Sequence, residues 1–293
     1  MNNFAAKWLA RRFLIGIVLM FMHTLAFANQ KIEIDNTVVN YVDVGQGPTV
    51  VLIHGLGADL TRFEHNIECL SRHFRVVALD LPGFGDSGKS KVPYNGKYYV
   101  DVVEKLRQRL NLGKITLIGN SMGGWLSLLY AQTHNSHLDS LILIAPAFVF
   151  GLPERISAAA IISGAKPKTN IQMTQYMQRV LYESDFSDKQ IQDNLAKHQT
   201  KNRGDGIKQV AYSLQNNEFV FTPLSVTKIT HQTLIIHGDS DGIVPVVTSQ
   251  KLNELLPHSR MIIIEQSGHW PQWENHSVVN PLLLEFLGKK SSP

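Results

Sequence analysis

The feature that most constrains this chain is the pentapeptide Gly119-Asn120-Ser121-Met122-Gly123, set between the apolar run Ile115–Gly119 and the helix-patterned stretch Met122–Thr133. A G-x-S-x-G pattern alone is weak, but with a strand entering and a helix leaving it leaves few architectures open. The turn has to be sharp. It forces the serine into a strained backbone conformation that only small neighbours accommodate, and it lifts the hydroxyl above the end of the strand. The free N–H groups and positive dipole end of the following helix lie directly behind it.

The rest of the chain supplies the sheet that such a turn requires. Two alternating stretches, 31–34 and 38–44, are followed by continuous apolar runs at 49–53, 75–79, 115–119, 140–144, 233–237 and 261–264. Runs of that kind read as strands buried on both faces. Helical spacing occupies 62–72, 100–110, 122–133, 247–256 and 277–287. Strands alternating with helices predict an α/β fold with a mostly parallel, doubly wound sheet, and functional residues belong at the C-terminal ends of its strands. The alternation breaks between about 148 and 221, where helical runs such as 171–182 and 188–198 appear without a buried strand. That stretch is expected to form a helical cap inserted between two strands.

The first 28 residues belong to a different category. Lys7, Arg11 and Arg12 precede the apolar run Phe13–Leu25, which is followed by Ala26-Phe27-Ala28. A basic segment, a short apolar segment and an A-x-A site predict a signal peptide and an exported protein, with residues 29–293 as the mature domain. A membrane anchor through residues 13–28 is the alternative. Without those three cations the chain holds 25 Lys and Arg against 24 Asp and Glu, a net charge of about +1. The basic isoelectric point therefore gives no reason to expect nucleic-acid binding. Cys69 is the only cysteine. It rules out an intrachain disulfide and reads as a small buried hydrophobe.

A serine hydroxyl is a poor nucleophile until a base takes its proton. Of the histidines beyond the leader, only His269 follows a glycine in a loop late in the chain, in Gln266-Ser267-Gly268-His269-Trp270. His54 and His237 read as strand ends. His134 and His137 read as a surface pair, with no carboxylate or cysteine at metal-ligand spacing. The base needs an acid to set its tautomer. Asp241, in Gly238-Asp239-Ser240-Asp241-Gly242, is the candidate because it lies deeper in its loop, with Asp239 as the runner-up. Two backbone donors would complete the site, the N–H of Met122 and that of Leu56 in His54-Gly55-Leu56-Gly57.

Taken in order, HGLG at 54–57, DLPGFGDS at 80–87, GNSMGG at 119–124, GDSDGIVP at 238–245 and GHWPQWE at 268–274 resemble the α/β-hydrolase superfamily along the whole of residues 29–293. The resemblance implies acyl transfer through a Ser121–Asp241–His269 triad, without a metal or organic cofactor. Two branches compete. GNSMGG and the His-Trp pair are similar to carbon–carbon hydrolases acting on aromatic ring-fission products, in which positions matching Asn120 and Trp270 contact substrate. That branch also carries an Arg-Trp pair on a cap helix, and 191–198 offers none. Exported esterases and lipases share the same motifs, so a carboxylic-ester hydrolase is the favoured expectation and a carbon–carbon hydrolase the alternative. The expected partner is a small-molecule or lipid ester, with transient lipid-surface contact through the cap. Phe148, Val149, Phe150, Leu152, Met173, Tyr176, Met177 and Leu181 are candidates for lining its pocket, or else for packing the cap onto the core.

Overall fold

The computed structural model describes residues 28–147, 158–183, 185–201, 206–215 and 221–288. Residues 1–27, most of the expected signal peptide, and the cap candidates Phe148, Val149, Phe150 and Leu152 lie outside them. Among the described residues, no helix is long and apolar enough to cross a membrane.

Eight strands form one sheet: β1 Gln30–Ile34, β2 Thr37–Val44, β3 Thr49–Ile53, β4 Arg75–Leu79, β5 Ile115–Asn120, β6 Leu138–Ile144, β7 Thr233–Gly238 and β8 Ser259–Ile264. Their order across the sheet is β1-β2-β4-β3-β5-β6-β7-β8. Only the β1–β2 and β2–β4 pairings are antiparallel. The apolar runs mark the central strands, because a strand covered on both faces must offer apolar side chains on each. In β3, Val51 and Ile53 join one core while Val50 and Leu52 join the other.

Helices cover both faces. α1 Glu64–Leu70, α2 Gly96–Arg109 and α3 Met122–Thr133 come before the cap. Among its described residues the 148–221 stretch holds α4 Ala158–Ala165, α5 Asn170–Val180, α6 Asp188–Lys201 and α7 Gly206–Gln215. Then follow α8 Pro223–Thr227, α9 Val246–Leu255, α10 Pro271–Glu274 and α11 His276–Gly288. Leu106 of α2 and Trp125 and Leu129 of α3 pack on one face of the sheet. Ile67 and Leu70 of α1, with Val279 and Leu283 of α11, pack on the other.

Two expectations are revised. The helix expected over 62–72 is divided into a tight turn, Leu60–Phe63, and α1. Asp59 starts that turn by accepting the Thr61 N–H, so the chain bends at Phe63 before the helix begins. Cys69 is half-buried, not enclosed. It lies on α1 beside the exposed Glu68, on the side turned from the core.

The face that carries α2 contains a buried ionic cluster. Glu104 accepts from the Arg107 guanidinium at 2.8 Å through both oxygens, from Tyr130 Oη at 2.6 Å and from Gln108 at 2.7 Å. Burial would raise its pKa, but these donors outweigh it and hold the carboxyl at about 2, below its ordinary 4.5. A depressed carboxyl stabilises the fold above its unfolded pKa, and that contribution is lost as pH falls through the folded value. Urea midpoints of the wild type are therefore expected to fall between pH 4.5 and about 2. Glu104→Gln should be less stable at neutral pH and should flatten that part of the curve. An unchanged slope would show that Glu104 does not carry the acid sensitivity.

Candidate active site

β5 runs straight into the turn at Ser121, whose backbone adopts φ 55° and ψ −116°. A non-glycine residue there is strained, and such strain persists only where the surroundings impose it. Here main-chain bonds do so. The Ser121 N–H donates to the Ile144 carbonyl at 3.0 Å, and the Ser121 carbonyl accepts from Ala147 at 2.9 Å and Trp125 at 3.1 Å. Closeness of packing explains the small residues around the turn. A Cβ on Gly123 would stand 2.0 Å from the Ile53 carbonyl oxygen, and one on Gly55 would stand 3.0 Å from the Ser121 Cβ.

The two loops beyond β7 and β8 meet beside this turn. His269 Nδ1 lies 2.7 Å from Asp241 Oδ2, with the Asp241 side chain fully buried. The other Asp241 oxygen accepts the N–H groups of Ile243 at 2.7 Å and Val244 at 2.9 Å. Burial alone would push this carboxyl up. The charge interaction with His269 and the hydrogen bonds from His237, His269 and Val244 more than offset it and hold the group well below the usual carboxylate range. Asp239, the runner-up, is exposed and turns to Ser240, Gln266 and Ser267 instead. Asn120 joins the serine turn to the histidine loop, its Nδ2 donating to the carbonyls of both Ile144 and His269 at 3.1 Å.

Leu56 lies in the loop beyond β3, whose Gly55 packs against the Ser121 side chain, and Met122 opens α3 directly after Ser121. No protein acceptor takes either N–H among the described residues. His54, fully buried at the end of β3, helps set the first of them. Its Nδ1 is 2.7 Å from the Gly55 carbonyl oxygen, and its Nε2 accepts the Leu81 N–H at 3.0 Å. The carbonyl and N–H of a trans peptide point in opposite directions, so holding the Gly55 carbonyl turns the Leu56 N–H the other way.

The end of α5 lies against both loops. Val180 accepts the His269 N–H at 2.7 Å, and Arg179 accepts the Gly242 N–H at 3.1 Å. Glu274 bridges the two sides, taking the Tyr182 N–H at 2.9 Å and the Gly268 N–H at 2.6 Å. Beside Trp270 the cap and core enclose a cavity of about 120 Å³. Met173, Tyr176, Met177 and Leu181 line it, so these cap residues both pack and bound a space. It is not wholly apolar. Arg62 lies 4.2 Å over the Trp270 ring and 5.5 Å from Trp273, and Lys197 and His198 share the wall.

A family model for the alpha/beta hydrolase fold matches residues 48–276. The chain belongs to the α/β-hydrolase family. Among its relatives, the 2-hydroxy-6-oxo-6-(2'-aminophenyl)hexa-2,4-dienoic acid hydrolase of Metapseudomonas resinovorans is 26% identical over 280 residues, covering 91% of this chain and 93% of that one. The 2-hydroxy-6-oxo-2,4-heptadienoate hydrolase of Pseudomonas putida is 30% identical over 261 residues, covering 85% and 92%. A putative lipase from Acinetobacter baumannii is similar in structure, with a TM-score of 0.80 at 23% identity over 89% of this chain and 91% of that one.

Within this α/β hydrolase, one sequence reading of the metal question needs correction. His134 and His137 do have a carboxylate close by, since Glu104 arrives from α2 and the three side chains offer ligand atoms within 4.8 Å of one another. The carboxylate already binds Arg107, Gln108 and Tyr130, which makes the cluster an ion-pair network. Four residues near the site of this hydrolase were not singled out from sequence: His54, His237, Arg62 and Glu274. A shared signal was present for the first two, a histidine followed by glycine at the end of a buried strand.

Proposed function

We propose that the protein is a serine hydrolase of carboxylic esters. The observation that carries this reading is a serine held at φ 55° on a strand end, with a histidine beside that turn whose Nδ1 meets a fully buried carboxylate at 2.7 Å. In the first step His269 takes the proton of Ser121 as Oγ attacks the ester carbonyl. The N–H groups of Leu56 and Met122 hold the developing oxyanion. His269 then protonates the leaving alkoxide, and it later activates the water that releases the acid. Asp241 stabilises the imidazolium and keeps the ring in the tautomer that presents Nε2 to the serine.

The names of the curated relatives favour a second reading, hydrolysis of a carbon–carbon bond in a dienoic acid. Two features support the ester reading over it. Asn120 is fully buried and its Nδ2 donates to two main-chain carbonyls, so only its Oδ1 remains for a substrate. The cap helix α6 carries no Arg-Trp pair. Export, as the leader implies, also suits an extracytoplasmic ester better than a ring-fission product made in the cytoplasm.

The test is a side-by-side assay of the purified protein on p-nitrophenyl esters of graded chain length and on 2-hydroxy-6-oxohexa-2,4-dienoic acids. The ester reading predicts higher kcat/KM on the esters, with a chain-length optimum set by the cap cavity. Higher kcat/KM on the dienoic acids would replace it with the second reading.

A further inference from the structure

Asp241 lies between two imidazoles, and the reaction proposed above uses only one of them. His237, the penultimate residue of β7, is fully buried, and its Nε2 lies 3.1 Å from Asp241 Oδ2, the oxygen that also meets His269. The same Nε2 is 2.9 Å from the Val244 carbonyl oxygen, and Nδ1 is 2.7 Å from Ser249 Oγ on α9.

These partners settle the tautomer of the neutral ring. A carbonyl oxygen can only accept, so Nε2 must carry the proton, shared between Val244 and Asp241. Nδ1 then accepts from the Ser249 hydroxyl. With this donor included, the buried carboxylate has four: the Ile243 and Val244 N–H groups on Oδ1, and the two imidazoles on Oδ2. Such a carboxylate has no free direction in which to rotate. The chain Ser249–His237–Asp241–His269 therefore connects α9 and β7 to the loop of the proposed base.

We infer that His237 is a positioning residue for the proposed hydrolysis, acting through Asp241 and never touching substrate. The inference rests on the triad reading above. Its function is to hold Oδ2 at the distance and angle that His269 Nδ1–H requires, and a rigid supporting layer of this kind separates a site that is present from one that is aligned.

Two substitutions of equal polarity isolate the contact. In His237→Gln the side-chain NH2 falls near the position of ring Nε2 and can still reach Asp241. In His237→Asn it falls near Nδ1, where it faces Ser249 and leaves Asp241 without that donor. Losing a partner that orients a functional group costs about 10–100-fold in comparable supporting shells. His237→Asn should therefore lose about 10–100-fold in kcat per titrated site with KM nearly unchanged, and His237→Gln should stay within about fivefold of the wild type. A second readout needs no substrate. The downfield proton resonance of the His269–Asp241 hydrogen bond should persist in His237→Gln and broaden or shift in His237→Asn. Equal kcat values for the two variants, or an unchanged resonance in His237→Asn, would overturn the inference. Because the resonance reports on the resting protein, it decides the point even if the wild type proves inactive on esters, the result that would overturn the ester reading instead.

Discussion

Ser121→Ala is expected, on the proposed ester mechanism, to lower kcat by about a million-fold while leaving KM and folding close to those of the wild type, because loss of the nucleophile removes the covalent route altogether. The hydroxyl makes no contact on which the turn depends. The bonds that hold Ser121 at φ 55° come from its own N–H and carbonyl, and alanine keeps both. A methyl side chain also removes nothing from the apolar cores, in which Ser121 takes no part. The effect should therefore be confined to chemistry. Residual turnover well above the uncatalysed rate would still be expected, since the Leu56 and Met122 N–H groups remain to polarise a bound carbonyl.

Asp241→Asn is expected to cost about 10⁴-fold in kcat with the geometry largely kept. The asparagine could still accept from Ile243 and Val244, which bond Oδ1 in the wild type. At the other position an NH2 would face two imidazole nitrogens. His269 would then turn its proton to Nε2, the nitrogen that must accept from serine, and catalysis would fail for want of a base. His237, which bonds the same oxygen, would meet a donor where it now finds an acceptor. The matched control is Asp239→Asn. Asp239 is exposed and bonded to Ser240, Gln266 and Ser267, so its replacement should change kcat by less than about tenfold. A steady-state comparison of the two variants assigns the acid, and a larger loss in Asp239→Asn would reverse the assignment.

The parts of this account that were legible in the sequence depend on local pattern. Buried strands such as Thr49–Ile53 are apolar at every second position on both faces, and that needs no knowledge of what covers them. The turn at Ser121 announces itself because glycine is required on both sides by contacts as close as Gly123 to Ile53. What was not legible depends on residues far apart in the chain. His54 and His237 read as strand ends because the groups that give them meaning, Leu81 and Ser249, arrive from other elements. The carboxylate beside His137 was missed for the same reason, since Glu104 lies 33 positions earlier on α2. Helix limits shifted where a cap outweighed periodicity. Asn95 starts α2 four residues before the first apolar position of the expected helix, by accepting the Tyr98 N–H. Met173, Met177 and Leu181 read from the sequence either as pocket lining or as cap packing, and the cation stacked on Trp270 comes from Arg62 on the core side.

If Ser121 forms the covalent acyl intermediate, labelling with a fluorophosphonate followed by peptide mapping by mass spectrometry should find it there. One adduct per chain is expected on Ser121, formed quickly in the wild type, absent in Ser121→Ala and much slower in Asp241→Asn. A folded wild-type protein that takes no label, or takes it on another residue, would contradict that role for Ser121.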